Sequence, residues 1–250
     1  MEKKLKILVI GDSCIDEFIY CDIERICPEA PVPVLKPIKT STNPGMASNV
    51  VENLRSLGVE VDIITNKDII KKTRYVDVRS GQMVMRVDNN DTCRGLPKNK
   101  YNKVNGWGHH AVIISDYCKG FLTEKDIAIF AKNSAGPIFL DTKKQLGDWC
   151  KDIDFIKINE FEHKNNFKHL PNYPFILDKI IITMGSKGCK YKDEIYPVPE
   201  VSVKDVSGAG DTFLAALVVA YLKNNNIKTA ITFANECATK VVQKRGVAII

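Results

Sequence analysis

Six short apolar runs constrain this chain more than any other feature: K-I-L-V-I-G-D, V-D-I-I-T, A-V-I-I-S-D, P-I-F-L-D, D-F-I-K-I-N and I-I-I-T. Each ends in a polar or small residue, and most are separated by stretches of helical period. The alternation predicts an α/β domain with a largely parallel sheet and helices on both faces. In such sheets ligands sit beyond the carboxyl ends of the strands. Gly11–Asp12, Ser115–Asp116, Asp141, Asn159 and Thr183–Gly185 all fall just past a strand. A site along that one edge is therefore expected.

The strands are predicted at residues 4–10, 59–65, 111–115, 137–141, 154–158 and 179–183. A helix follows N-P-G-M, with Val50, Leu54 and Leu57 as its apolar stripe and Gly58 as its stop. Thr123 reads as the N-cap of another, with Asp126 three residues on. A short helix starts at Asn159, and two close the chain at about 209–224 and 227–244. Gly246 ends the last helix, and V-A-I-I reads as a final strand. Cys189 opens a hairpin over 189–192 and 195–198. Residues 18–20, the run 32–38 behind P-E-A-P-V-P, and a hairpin of 74–79 with 82–87 do not alternate with helices. They pair into a small separate sheet, where prolines are tolerated at edges.

Bulk properties exclude several classes. The 250 residues suit one or two domains. The net charge of +6 comes from interleaved charges with no basic block, so no nucleic-acid partner is expected. Eight scattered cysteines without a C-x-x-C pair read as free thiols in a reducing compartment. His109, His110, His163 and His169 lie in polar stretches and make no zinc site. The first apolar run is too short for a signal segment, and none reaches membrane-spanning length. A cytosolic protein is expected, with no membrane association.

The stretch D-V-S-G-A-G-D-T-F-L-A-A-L-V-V-A-Y-L, from Asp205 to Leu222, is the richest in chemistry. Its apolar face recurs at helical spacing. The helix opens on Gly208, Ala209, Gly210 and Asp211. Free amides and the positive helix end make an anion site there, and small residues allow close approach. A plain helix start, with Ser207 as N-cap, also accounts for Asp211. It does not account for G-A-G. A carboxylate beside such an anion site suits phosphoryl transfer to a hydroxyl. No P-loop and no protein-kinase motif set occurs.

D-V-S-G-A-G-D-T-F resembles the C-terminal signature of the ribokinase-like, PfkB-type sugar kinases. P-G-M-A-S-N resembles that family's first glycine signature, usually G-G-x-x-x-N. I-G-D-S-C-I-D-E, R-I-C-P-E-A-P-V-P-V, T-R-Y-V-D-V-R-S-G-Q-M-V-M-R-V-D, I-I-S-D-Y-C-K-G-F-L-T and A-N-E-C-A-T-K-V-V-Q-K-R-G-V-A are similar to its heptose-phosphate kinase branch. The resemblance runs in order from about residue 5 to the end. It implies a three-layer ribokinase-like sandwich with a mostly parallel central sheet. Residues 1–250 would form a single kinase domain, with a β lid contributed by about 17–38 and 74–88. It also implies ATP and Mg²⁺, a monovalent cation as an option, a sugar-phosphate substrate, and a homodimer formed through the lid. The implied reaction transfers a γ-phosphoryl group to the anomeric hydroxyl of D-glycero-D-manno-heptose 7-phosphate.

The same resemblance assigns roles. Asp211 is the catalytic base, with Gly208, Ala209 and Gly210 as the anion hole. Asn159 and Glu162 match the N-x-x-E pair that organises Mg²⁺ through water. Thr183 and Gly185 match the nucleotide segment, Asn235 the adenine pocket, and Lys143 a basic residue near the phosphates. Asp16, Gly45 and Asn49 match sugar-binding positions, and Arg86, Asp88 and Lys119 are further substrate contacts. Simpler roles stay open: Asp16 as a turn residue, Asn49 as an exposed helix residue, Thr183 and Gly185 as an ordinary strand end, Lys143 as a solvated lysine. Asn159 and Glu162 also read as an N-cap and its capping-box partner. Met46 stands where the family usually has a second glycine, and only N-K-D-I-I-K-K-T-R occupies the place of a further helix and strand. The sheet is expected to lack one edge helix–strand unit, and no nucleotidyltransferase half is expected after Ile250. A kinase for another sugar or nucleoside is the alternative within the family. An inactive sugar-phosphate or nucleotide sensor is the alternative outside catalysis.

Overall fold

The computed structural model describes residues 4–103, 108–244 and 246–250. Six strands, β1 (Lys6–Gly11), β4 (Glu60–Thr65), β7 (Ala111–Asp116), β8 (Ile138–Thr142), β9 (Phe155–Asn159) and β10 (Ile180–Thr183), pair in parallel. The hairpin β11 (Cys189–Tyr191) and β12 (Glu194–Tyr196) adds antiparallel to β10. The resulting order is β12-β11-β10-β9-β8-β7-β1-β4. Ile7 to Ile10, Ile113, Ile114, Phe139, Leu140, Ile156 and Ile158 are wholly buried. The apolar runs are continuous rather than alternating because both faces are covered. Each such side chain contributes about 1.5–3 kcal/mol on leaving water.

Helices α1 (Ala47–Ser56), α5 (Ala209–Asn224) and α6 (Ile227–Val241) cover one face. On the other lie α2 (Glu124–Asn133), α3 (Glu160–Asn166) and α4 (Pro174–Leu177). Residues 211–220 of α5 are all buried. This helix is apolar all round because it is packed between the sheet, α1 and α6. Thr123 and Asp126 close the expected capping box on α2.

The small sheet is built from β2 (Ser13–Asp22), β3 (Lys36–Met46), β5 (Lys71–Asp77) and β6 (Met83–Asn89), in the order β3-β2-β5-β6. Its second half agrees with the sequence pattern, but its first half is displaced. Residues 23–35 lie outside it and form a bridge of their own between Ile26 and Pro33. Pro28, Pro31 and Pro33 remove ladder donors there. The sheet instead takes in 39–46, and Pro37 and Pro44 are tolerated because β3 is an edge strand. From β4, the outermost strand of the large sheet, the chain passes through residues 66–70 directly into β5.

One expectation and one alternative reading need correction. V-A-I-I forms no strand. The C-terminus crosses back to α1, where the Ile250 amide donates to Asn53 Oδ1 at 3.3 Å. Nor does Ser207 cap α5. The N-cap is Gly208, in the left-handed region at φ +80°, with no side-chain cap bond.

Candidate active site

The site grows out of the first turn of α5. Ala209 N bonds Val206 O at 3.2 Å, but no described group accepts a hydrogen bond from the amides of Gly208, Gly210 or Asp211. Those donors sit at the positive end of a 16-residue helix and suit an anion. Larger residues would crowd this turn. A Cβ on Gly208 would stand 2.7 Å from Asn49 Nδ2, and one on Gly210 would stand 2.9 Å from Lys157 Nζ.

Asp211 is 4% exposed. Asn49 Nδ2 donates to its Oδ2 at 2.9 Å, and the Tyr117 hydroxyl donates to its Oδ1 at 2.7 Å. Burial pushes its carboxyl up to about 6, against the pull of those two hydrogen bonds. Asp141 adds to the rise and Lys157 opposes it. A carboxylate poised there is suited to take a proton near neutral pH.

Lys157 and Asp141 are register partners on β9 and β8, and Lys157 Nζ lies 2.7 Å from Asp141 Oδ2. Burial disfavours the lysine's charge, but Asp141 outweighs it and the net shift is upward. A buried ion pair thus underlies the turn at Gly210. The loop after β7 is fixed by Asp12, whose carboxylate accepts the amides of Tyr117, Lys119 and Phe121 at 2.7, 3.4 and 3.3 Å. Burial, then Asp116, raises the Asp12 carboxyl.

A cavity of about 380 Å³ lies between the small sheet and the start of α5. Asp16, Asn49, Gly208 and Asp211 line it, with the cations Lys72, Arg74, Arg86, Lys119 and Lys143. Gly45 lets Asp16 in, since a Cβ there would stand 2.3 Å from Asp16 Oδ2. Four of the cations have carboxylate partners: Arg74 with Asp16, Arg86 with Asp88, Lys119 with Asp91, and Lys143 with Glu162. Among the described residues no carboxylate pairs with Lys72. Burial lowers its pKa, and the charges of Lys119 and Arg86 lower it further. Asp88 does not line the cavity; its two oxygens hold Arg86 at 2.6 Å. Met46 lines the cavity at φ 57°, in the left-handed region where glycine is favoured.

A second cavity, of about 530 Å³, opens on the other side of the same turn. Ala209, Gly210, Thr183, Gly185 and Asn235 line it beside Val198, Val201, Val203, Val206 and Val242. The Asn235 amide donates to Tyr196 O at 2.9 Å and so fixes the strand end at the rim. A third hollow is lined by Lys143, Asn159 and Glu162. Asn159 caps α3 and Glu162 completes the capping box, so the simpler role is present in the structure. Glu162 Oε1 also receives Lys143 Nζ at 2.9 Å, and its Oε2 receives the Asn159 amide at 2.8 Å. Among the described residues no group of three or more His, Cys, Asp or Glu could hold a metal directly. Each Glu162 oxygen accepts one hydrogen bond and keeps a further lone pair.

Sequence reasoning does not single out Lys72, Tyr117 or Lys157. The one local signal is a lysine inside the otherwise apolar run F-I-K-I-N. Lys72 and Tyr117 lie in K-K-T-R and S-D-Y segments whose spacing alone assigns no role.

The class follows from this architecture together with the comparisons. Residues 45–250 match the pfkB family of carbohydrate kinases, and the chain belongs to that family. It is an ATP-dependent carbohydrate kinase by that membership. It is 31% identical over 293 aligned positions to the bifunctional protein HldE of a Nitratiruptor species, covering 98% of this chain and 63% of that protein. It is 30% identical to the bifunctional protein HldE of Helicobacter acinonychis (strain Sheeba), covering 98% of this chain and 64% of the relative. The chain thus spans somewhat under two thirds of these relatives' length. The 293 aligned positions exceed the chain's 250 residues, so the relative carries segments with no counterpart here. Among solved structures, a ribokinase from Thermotoga maritima superposes with a TM-score of 0.69 at 19% identity, covering 97% of this chain and 94% of that one. The phosphofructokinase-2 from Escherichia coli superposes with a TM-score of 0.71 at 13% identity, covering 98% and 94%. The fold is ribokinase-like.

Proposed function

We propose that this carbohydrate kinase phosphorylates the anomeric hydroxyl of a sugar phosphate, D-glycero-D-manno-heptose 7-phosphate, for nucleotide-activated heptose. The observation that carries the proposal is the pair of unlike cavities flanking one amide-rich helix start: Gly208 and Asp211 line the first, Ala209 and Gly210 the second. The cation-rich cavity suits a sugar that already bears a phosphate. Lys72, with no carboxylate of its own among the described residues, supplies uncompensated charge for it. The valine-lined cavity suits the nucleoside of ATP. The similarity to the HldE relatives favours heptose over other sugars.

In the reaction, Asp211 takes the proton of the sugar hydroxyl. The sugar oxygen forms a bond to the γ-phosphorus, and the bond from that phosphorus to the β–γ bridging oxygen breaks. ADP leaves with the electron pair. The amides of Gly208, Gly210 and Asp211 hold the transferring group, and the rigid α5 supplies orientation. Asn159 and Glu162 would hold Mg²⁺ through water, where it would neutralise phosphate charge. A monovalent cation is compatible with the family; the Escherichia coli phosphofructokinase-2 was solved with potassium. The small sheet serves as a lid, and its exposed Ile38, Met83, Val84 and Met85 suit a homodimer through it.

A second reading, a sugar-phosphate or nucleotide sensor without turnover, is favoured by the missing edge helix–strand unit and by Met46, whose side chain lines the sugar cavity. The test is ADP release with Mg²⁺ and a panel: heptose 7-phosphate, the same heptose without phosphate, other sugar phosphates and nucleosides. Turnover confined to heptose 7-phosphate supports the proposal. Turnover with another compound removes the heptose assignment, and binding without turnover favours the sensor.

A further inference from the structure

We infer that Tyr117 is a positioning residue for Asp211: its phenol on Oδ1 and Asn49 on Oδ2 together fix how that carboxylate faces the lid-side cavity. The inference rests on the kinase reading of the site, and its test separates the two.

Three observations converge on it. First, the loop that carries Tyr117 is not free to drift. Asp12 accepts its backbone amide at 2.7 Å and two further amides of the same loop. Second, the ring is held from the cavity side, with Lys143 Nζ 4.8 Å and Lys72 Nζ 6.0 Å from its centroid. Third, the phenol can only be a donor here. Burial and the neighbouring Asp211 push its own pKa well above the ordinary value, so the proton stays on oxygen. A carboxylate as enclosed as Asp211 would otherwise turn about its last side-chain bond and present either oxygen. With one donor per oxygen it has a single arrangement, and the remaining lone pairs face the cavity.

The phenol also favours the charged form of the base, because a hydrogen bond to a carboxylate stabilises the anion. The groups facing Asp211 are Asn49 from α1, Tyr117 from the loop after β7, Asp141 from β8, Lys157 from β9 and the Cys14 thiol from β2. Asp141 and Lys157 act in opposite directions and are paired with each other. Removing only the Tyr117 hydroxyl therefore leaves burial less opposed, and the Asp211 midpoint moves up.

The experiment is a ¹³C NMR titration of the full chain labelled at aspartate Cγ, with the Asp211 signal identified by its absence from Asp211→Asn. In the wild type the midpoint is expected near 6. In Tyr117→Phe it is expected about one unit higher. The acid limb of kcat/KM for the phosphorylated sugar should move by the same interval. That gives about a fivefold loss at the wild-type midpoint, approaching about tenfold at lower pH, recovery in alkaline buffer, and an unchanged KM for ATP. Equal midpoints in the two proteins would overturn the inference, as would a loss of rate that is the same at every pH. If no sugar is phosphorylated, the kinase reading fails while the two NMR midpoints still decide the role of Tyr117.

Discussion

The two cavities that meet at the start of α5 are built from opposite materials. Five cations line the lid-side cavity, and valines dominate the other. The difference follows from which elements supply the walls. The lid side is walled by strands of the small sheet and by the loop after β7, where Arg74, Arg86 and Lys119 have carboxylate partners and, among the described residues, Lys72 has none. The other side is walled by residues 198–206, which supply four of its valines, and by α6, which supplies Asn235, Ala238 and Thr239. One helix end borders both, and on the proposed function its amides would hold phosphate from either side. The comparison predicts that substitutions on one side leave the other side's ligand untouched, whereas substitutions at the shared turn affect both.

The largest effect is expected at the shared point. Asp211→Asn should lower kcat by about 10²–10⁴-fold while both ligands still bind, as measured by steady-state rates and calorimetry. The same substitution should stabilise the fold. A carboxyl whose folded pKa of about 6 lies above its unfolded value favours the unfolded state once that state ionises. The penalty is complete above about pH 6, shrinks as the native carboxyl protonates, and vanishes below about 4. Asp211→Asn should therefore gain about 1–3 kcal/mol at pH 7 and little at pH 4, by chemical denaturation.

Lys72→Ala should raise KM for the phosphorylated sugar by about 10–100-fold, on the scale of a lost charged contact, without changing KM for ATP. An equal effect on both ligands would break the division between the cavities. Gly208→Ala places a Cβ 2.7 Å from Asn49 Nδ2 at a backbone of φ +80°. It should cost about 1–3 kcal/mol in stability and slow turnover as Asn49 is displaced. The smallest effect is expected from Asn235→Ala, which frees Tyr196 O. It should raise KM for ATP a few-fold, about 1 kcal/mol, and leave the sugar KM unchanged.

The α/β architecture was legible because the parallel strands are short, mostly apolar runs with a polar or small terminus, and because Thr123 and Asn159 carry their capping partners at the expected spacing. The G-A-G turn was legible because helix propensity gives no reason for it. The displaced first half of the lid was not, because Pro44 inside a strand reads as a turn unless the strand is known to be an edge. Lys157 and Asp141 are 16 residues apart, and only strand register brings them together. Tyr117 lies 94 residues from Asp211, so no local spacing announces their hydrogen bond. Lys72 became conspicuous only once the neighbouring cations were seen to have partners.

The measurement that tests the central claim most directly is ³¹P NMR of the reaction of wild type and Asp211→Asn with ATP, Mg²⁺ and D-glycero-D-manno-heptose 7-phosphate. The account predicts a new anomeric phosphate signal growing in step with ADP in the wild type and absent, on the same timescale, in the variant. No phosphoryl transfer by the wild type, or equal transfer by the variant, would contradict it.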